Sequence, residues 1–241
     1  MLTAGKILRS IADLSLPSKC AVCGRELILA EDTVCIRCLA DLPLTHFWEY
    51  VHNPMADALN GRVEAPAGTY LNAAALIYYK SGYSSIPKGL KYGRDFKEGK
   101  YFAEMLARRL AAADGFRDID LIVPVPLHRL RKWKRGYNQA EIIARAMMPA
   151  FPGAALDNCS LSRTRNTRTQ TVLDESGREE NVRDSFSFKE TSPGKRPGHI
   201  LLVDDVFTSG ATTAACCRAI FKKYGGGVRI SVATLAYAGE D

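Results

Sequence analysis

Read for apolar periodicity, the chain changes character near Tyr70. Beyond that point short apolar runs alternate with amphipathic stretches. Asn72 to Tyr79 is a compact apolar run. Ile86 to Tyr92 and Phe96 to Leu110 have helical spacing, and in the second Phe102, Leu106 and Leu110 recur four apart on one face. Asp120 to Pro126 (DLIVPVP) has the make-up of a buried strand ending in prolines. Asn138 to Met148 is again helical, with Ala140, Ile143, Ala144 and Met147 on one stripe. His199 to Val206 (HILLVDDV) is the clearest strand. A Thr/Ser/Gly turn follows it, then a helix from Ala211 to Tyr224 stopped by Gly225, Gly226 and Gly227, and a last strand from Val228 to Tyr237. Unbroken apolar strands separated by helices predict an α/β fold, because a parallel sheet is covered on both faces and needs no polar alternation.

Upstream the pattern is different. Residues 43–70 hold Pro43, Pro54 and Pro66 with no sustained periodicity, and read as a connector. The apolar side chains near the cysteines of residues 1–42 (Leu16, Val22, Leu27, Leu39, Leu42) are too few to hold a fold unaided. Cysteine spacing fills the gap. Cys20 and Cys23 form one C-x2-C pair, Cys35 and Cys38 another, with 11 residues between the pairs. Two intervening residues let both thiolates of a pair reach one ion, and two pairs complete a closed tetrahedral Zn2+ site. Four sulfur ligands leave no open coordination position, so the metal's expected role is structural. A redox pair would sit at the strand-to-helix junction of a βαβ unit, which this segment lacks. The domain reading is thus 1–42 zinc-binding module, 43–70 connector and 71–241 α/β domain.

Composition narrows the class. With 46% hydrophobic and 24% charged residues, the 241-residue chain can bury a core and is not disordered by composition. No window nears the roughly 18 consecutive apolar residues that span a bilayer. Arg9, Ser10 and Asp13 interrupt the first twenty residues, which lack a signal-peptide apolar core, so a cytoplasmic location is expected. The formal charge of +7 favours anionic partners without naming one. Cys159, Cys216 and Cys217 show no spacing logic and read as reduced core or helix residues.

The chemistry concentrates in three segments. The first, Leu201 to Thr213, places Asp204 and Asp205 at the carboxyl end of a buried strand, where open α/β sheets bind ligands. Thr208, Ser209, Gly210, Ala211, Thr212 and Thr213 then form a hydroxyl-rich turn that opens a helix, a cradle for phosphate built of backbone N–H groups and hydroxyls. Carboxylates accept hydrogen bonds from neighbouring hydroxyls, so acids beside a phosphate cradle suit a ribose phosphate. No G-x4-G-K-[ST] occurs, which excludes a P-loop nucleotidase. The second segment, Val123 to Gln139, follows a predicted parallel strand. It carries Arg129, Arg131, Lys132, Lys134 and Arg135, enough cations to neutralise a diphosphate, or to follow a nucleic-acid backbone with Trp133 and Tyr137 stacking on bases. The third, Leu161 to Gln170 and on to Phe186, with Arg163, Arg165 and Arg168, is polar and cationic and reads as a mobile loop over a site.

Leu201 to Thr213 resembles the 5-phosphoribosyl-1-diphosphate signature of type I phosphoribosyltransferases, an aliphatic strand and acidic pair followed by Thr-Thr/Ser-Gly-x-Thr, with Ser209 where threonine is common. The three segments, the cysteine module and Lys91-Tyr92 together resemble the competence protein F family, over about Ser18 to Ala236. That resemblance implies a type I phosphoribosyltransferase-like parallel sheet flanked by helices, a zinc-ribbon-like N-terminal module and a role in DNA uptake during natural transformation. It also implies that Asp204 and Asp205 bind the ribose hydroxyls and that Thr208 to Thr213 bind the 5-phosphate. In a catalytic version Mg2+ with Arg131, Lys132 or Arg135 stabilises the leaving diphosphate, and the Arg163–Gln170 loop closes to exclude water. Three roles follow: a phosphoribosyltransferase acting on an unidentified acceptor, a non-catalytic sensor of the same ligand, or a factor handling single-stranded DNA alongside competence proteins.

Overall fold

The computed structural model describes residues 18–80, 82–92, 96–127, 133, 135–164, 185–189 and 196–239. In chain order its elements are α1 (Ile36–Ala40), α2 (Pro54–Asn60), β1 (Asn72–Tyr78), α3 (Ser85–Tyr92), α4 (Phe96–Ala112), β2 (Leu121–Pro124), α5 (Gln139–Met147), β3 (Ala155–Leu156), β4 (Leu161–Arg163), β5 (Phe186–Phe188), β6 (His199–Phe207), α6 (Ala211–Tyr224) and β7 (Arg229–Tyr237). The long elements match the sequence pattern to within two residues at each end.

Five strands form one sheet in the order β1-β7-β6-β2-β3, with every neighbouring pair parallel. Burial explains the unbroken apolar runs. Ala73 to Ile77, Ile200 to Val203 and Val232 to Leu235 are all buried, so neither side of these strands tolerates charge. On one face α4 and α5 pack together, with α5 against β2 and β6 and α4 against β1 and β7. The four-residue spacing in α4 becomes a stripe of fully buried Phe102, Leu106 and Leu110, each worth roughly 1.5–3 kcal/mol of apolar burial. Gly99 admits the close approach of α3, since a Cβ there would lie 2.2 Å from Leu90 Cδ2. On the other face α6 packs against α2 and the antiparallel β4–β5 pair.

The strand order sets the site. From β2 the chain moves outward to β3, whereas from β6 it moves the opposite way to β7. Right-handed crossovers in opposite directions put α5 and α6 on opposite faces. The cleft between β2 and β6, at their carboxyl ends, is therefore the topological switch point.

Residues 43–70 contribute more order than their composition suggests. Leu44 bridges antiparallel to Ile77, and Phe47–Glu49 forms a 3-10 turn. Asn53 caps α2 through Ala56 N, and its amide donates to the Phe47, Tyr50 and Ala73 carbonyls at 3.2, 3.0 and 3.1 Å. Met55, Ala56 and Leu59 are buried completely. The third segment also begins and ends in order: Leu161 to Arg163 pairs with Phe186 to Phe188, and residues 165–184 lie outside the described residues. No helix among the described residues is long and apolar enough to cross a membrane.

Candidate functional site

β6 is in register with β2 from Leu121–Ile200 to Pro124–Val203, and Val125 N donates to Val203 O at 2.8 Å. Asp204 and Asp205 thus emerge just past the end of β2, at the switch point, and both are half-buried. Asp204 Oδ1 accepts the N–H of Asp205 at 2.8 Å, which fixes one oxygen of the first carboxylate.

The chain then turns sharply. Gly210 has φ of 77°, and a Cβ there would lie 2.5 Å from Phe207 Cζ, so the turn is open to glycine alone. Phe207 is held beneath it by Tyr237, whose ring stacks at 6.0 Å and 23°, while Phe47 meets Tyr237 edge-on at 5.2 Å. Gly210 caps α6 without a side-chain hydrogen bond, and the first intrahelical bond runs from Ala214 N to Gly210 O. The N–H groups of Ala211, Thr212 and Thr213 precede that bond and point out of the helix start. Thr208 and Ser209 are exposed, Thr212 is half-buried and Thr213 is buried. Donors and the positive helix end meet hydroxyls here, in a turn that begins three residues beyond Asp205. Behind the turn Cys216 and Cys217 are fully buried, and burial raises both thiols, to about 12 for Cys217. They are packing residues and not nucleophiles.

The cationic segments are placed in part. Arg131, Lys132 and Gln170 lie outside the described residues. Arg135 is half-buried beside Gly136. Just after it Asn138 caps α5 and its amide reaches back to Val125 O at 3.0 Å, closing the 126–137 excursion onto the carboxyl edge of β2. Arg163 ends β4 with its guanidinium 5.3 Å over the Phe186 ring. Burial raises the Cys216 thiol, Asp204 adds to that rise and Arg163 opposes it. The sequence reading missed the turn after β1. It opens at the same edge, with Tyr79 N bonded to Tyr237 O, Lys80 5.2 Å over the Tyr78 ring and Gly82 at φ of 92°. A Lys-x-Gly directly after an apolar strand was the available signal.

The four cysteines converge. The sulfurs of Cys20, Cys23, Cys35 and Cys38 all lie within 4.8 Å of one another. Cys23 and Cys35 are 3.8 Å apart, the edge of a tetrahedron with metal–sulfur bonds of about 2.3 Å. Cys35 N donates to Cys20 Sγ and Cys38 N to Cys35 Sγ, at 3.3 and 3.4 Å. The Cys38 N–H draws the Cys35 thiol down to about 6, while burial raises that of Cys38. The cluster can hold a metal ion such as zinc. Glu31, a side chain the sequence did not single out, organises it. Its carboxylate accepts from Ile36 N, Ile28 N and Arg25, at 2.8, 3.0 and 2.7 Å, and these bonds hold it below the usual carboxylate range. Tyr83 donates to Cys38 O at 3.2 Å and Lys97 pairs with Asp32 at 2.9 Å, fastening the module to the turn before α3 and to α4.

Comparison with known proteins gives a consistent set. The chain is 27% identical over 214 residues to DNA utilization protein YhgH of Escherichia coli K12, covering 88% of this chain and 87% of that protein. It is 26% identical over 219 residues to the protein of the same name from Salmonella typhi, covering 87% and 93%. With competence protein F of Haemophilus influenzae it shares 32% identity over 143 residues, covering 56% and 60%. No protein-family profile matches it.

Proposed function

We propose that this chain, a homologue of competence protein F and of the DNA utilization proteins, binds 5-phosphoribosyl-1-diphosphate at the carboxyl edge of β6 and serves the use of DNA. The carrying observation is the junction at Asp204–Thr213: two half-buried carboxylates at the switch point, followed by a glycine-shaped turn and a helix start without a side-chain cap. Asp204 and Asp205 accept from the ribose hydroxyls, and the N–H groups of 211–213 with Thr208, Ser209 and Thr212 hold the 5-phosphate. Mg2+ would enter with the diphosphate, with Asp204 or Asp205 available to hold it, and would neutralise charge on the leaving group. Arg131, Lys132 and Arg135 supply the charge that neutralises the diphosphate, and Arg163 with Gln170 supplies the polar groups that exclude water. Displacement at C1 of the ribose is the reaction such a site supports, with diphosphate leaving as positive charge gathers on the sugar ring.

In this reading the cysteine module holds structural zinc, and its unoxidised thiols fit a reducing compartment such as the cytoplasm. The relatives' names tie the family to DNA. A direct contact with single-stranded DNA is favoured by one observation, the 82% exposure of Trp133 within the cationic stretch after β2.

The test is thermal unfolding of the zinc-loaded protein in Mg2+, with and without 5-phosphoribosyl-1-diphosphate. Ligand at about 100 times its Kd adds roughly 2.7 kcal/mol, a rise of about 5–10 °C for a chain of this size. The rise should vanish in the Asp204→Asn/Asp205→Asn variant. A folded wild type without a rise, or an equal rise in the variant, refutes the assignment.

A further inference from the structure

A cavity of about 650 Å3 lies at the far end of α4 from the carboxyl edge. α4 starts at Phe96, whose ring meets Tyr137 at 4.8 Å, and its 17 residues lead to Ala112, about 25 Å away. Trp48, Tyr50 and Val51 form one wall of the cavity, Arg108 and Arg109 another, and the turn around Gly115 a third. Its volume falls in the range of small-molecule sites, about 300–1,000 Å3.

Three features give it a chemistry. The first is an aromatic wall: Tyr50 is 62% exposed beside the half-buried Trp48, whose ring meets His46 at 5.2 Å. The second is positive charge. The Arg109 guanidinium lies 5.4 Å over the Trp48 ring and donates to Met105 O at 3.0 Å, and neither contact neutralises it. Arg108 pairs with Glu104 at 3.5 Å on the exposed side of α4, and the acids on the rim are engaged elsewhere, Glu49 with His46 at 2.8 Å and Asp114 with Arg117 at 2.7 Å. The third is rigidity. Gly115 O accepts from Asn72 Nδ2 at 3.1 Å and from the fully buried Ser231 Oγ at 3.2 Å, so two strands of the sheet pin this wall in place.

We propose that this cavity binds a nucleotide, its base stacked on the Trp48–Tyr50 wall and its phosphate held by Arg108 and Arg109. A planar π-face and an anion within one ligand satisfy both walls, and guanidinium groups suit phosphate bidentately. The site is separate from the β6–α6 edge and does not depend on the ribose-phosphate reading. Its nucleotide comes either free or as part of a single strand, since both present the same base and phosphate.

The chain has two tryptophans, Trp48 and Trp133, so a Trp133→Phe protein reports from the cavity alone. Deoxyadenosine monophosphate and an oligodeoxyadenylate of about ten nucleotides are titrated against its fluorescence at low salt. We expect saturable quenching. It should weaken about tenfold or more in Arg109→Met, which keeps the aliphatic stem on Trp48 but removes the charge and the donors. Tyr50→Ala, at an exposed position, provides the same test if Arg109→Met does not fold. Quenching should persist in Asp204→Asn/Asp205→Asn, which separates this site from the other one. Quenching by the oligonucleotide alone assigns the cavity to a strand, and comparable quenching by the mononucleotide assigns it to a free ligand. No quenching of the folded protein by either, or quenching that survives both substitutions, overturns the proposal.

Discussion

The cysteine module and the sheet are stabilised in opposite ways. In residues 18–42 the buried apolar groups are Val34 and Leu42 together with three of the four cysteines. Order there comes from converging sulfurs, the buried Glu31 carboxylate and a few turn hydrogen bonds. In the sheet, stability is spread over many fully buried side chains, none of which acts alone. A point-held structure fails when one point is removed, whereas a packed core loses stability in proportion to what is cut away.

The largest effect should come from the points. If the cluster holds zinc, Cys38→Ser removes one of its four sulfur ligands and a strong chelator removes the ion, whose binding in comparable modules amounts to about 10–16 kcal/mol. Amide exchange should then reach the global unfolding limit of the module at residues 18–42, while β6 and β7 stay protected. Equal loss of protection in both regions would erase the distinction. Next comes the core: Leu106→Ala on α4 should cost about 2–5 kcal/mol, read as a lower urea midpoint with zinc content unchanged. The smallest effect sits at the amino end of β6. His199 is buried, with Nδ1 2.7 Å from Arg117 O and Nε2 2.8 Å from Ser231 Oγ. Burial lowers its pKa below the ordinary 6.5, despite the Arg117 carbonyl acting the other way. Because the unfolded chain binds this proton more readily, stability is full above pH 6.5 and falls as the pH drops through the folded value. Urea midpoints taken from pH 7.5 to 5 should show this loss in the wild type and a flatter profile in His199→Gln.

How much of this was legible in the sequence follows the same division. Regular burial writes itself as period, so the stripe Phe102, Leu106, Leu110 and the run Ile200 to Val203 gave α4 and β6 nearly to the residue. Spacing alone indicated the cysteine cluster, since its geometry is local to two short pairs. The acidic pair and the glycine turn were visible because strand, turn and helix are contiguous there. What escaped depends on contacts distant in sequence. Asn53 bonds to Ala73 O twenty residues on, and Leu161 pairs with Phe188 across residues outside the described set. Lys80 and Gly82 share an edge with Asp204 only once β1 has been laid beside β7. Trp48 and Arg109 meet only when α4 packs along the sheet.

β1 is the outer strand of the sheet, and its flank is occupied: Thr45 N bonds to Leu76 O, Tyr78 N to Pro43 O, and the side chains of Thr45 and Asn53 to the Ala75 and Ala73 carbonyls. A strand sealed in this way offers no template for a second copy to continue the sheet. Polymerisation by strand addition is closed on this side of the molecule. Asn53, which also braces the Tyr50 carbonyl beside the cavity, is one of the groups that close this edge.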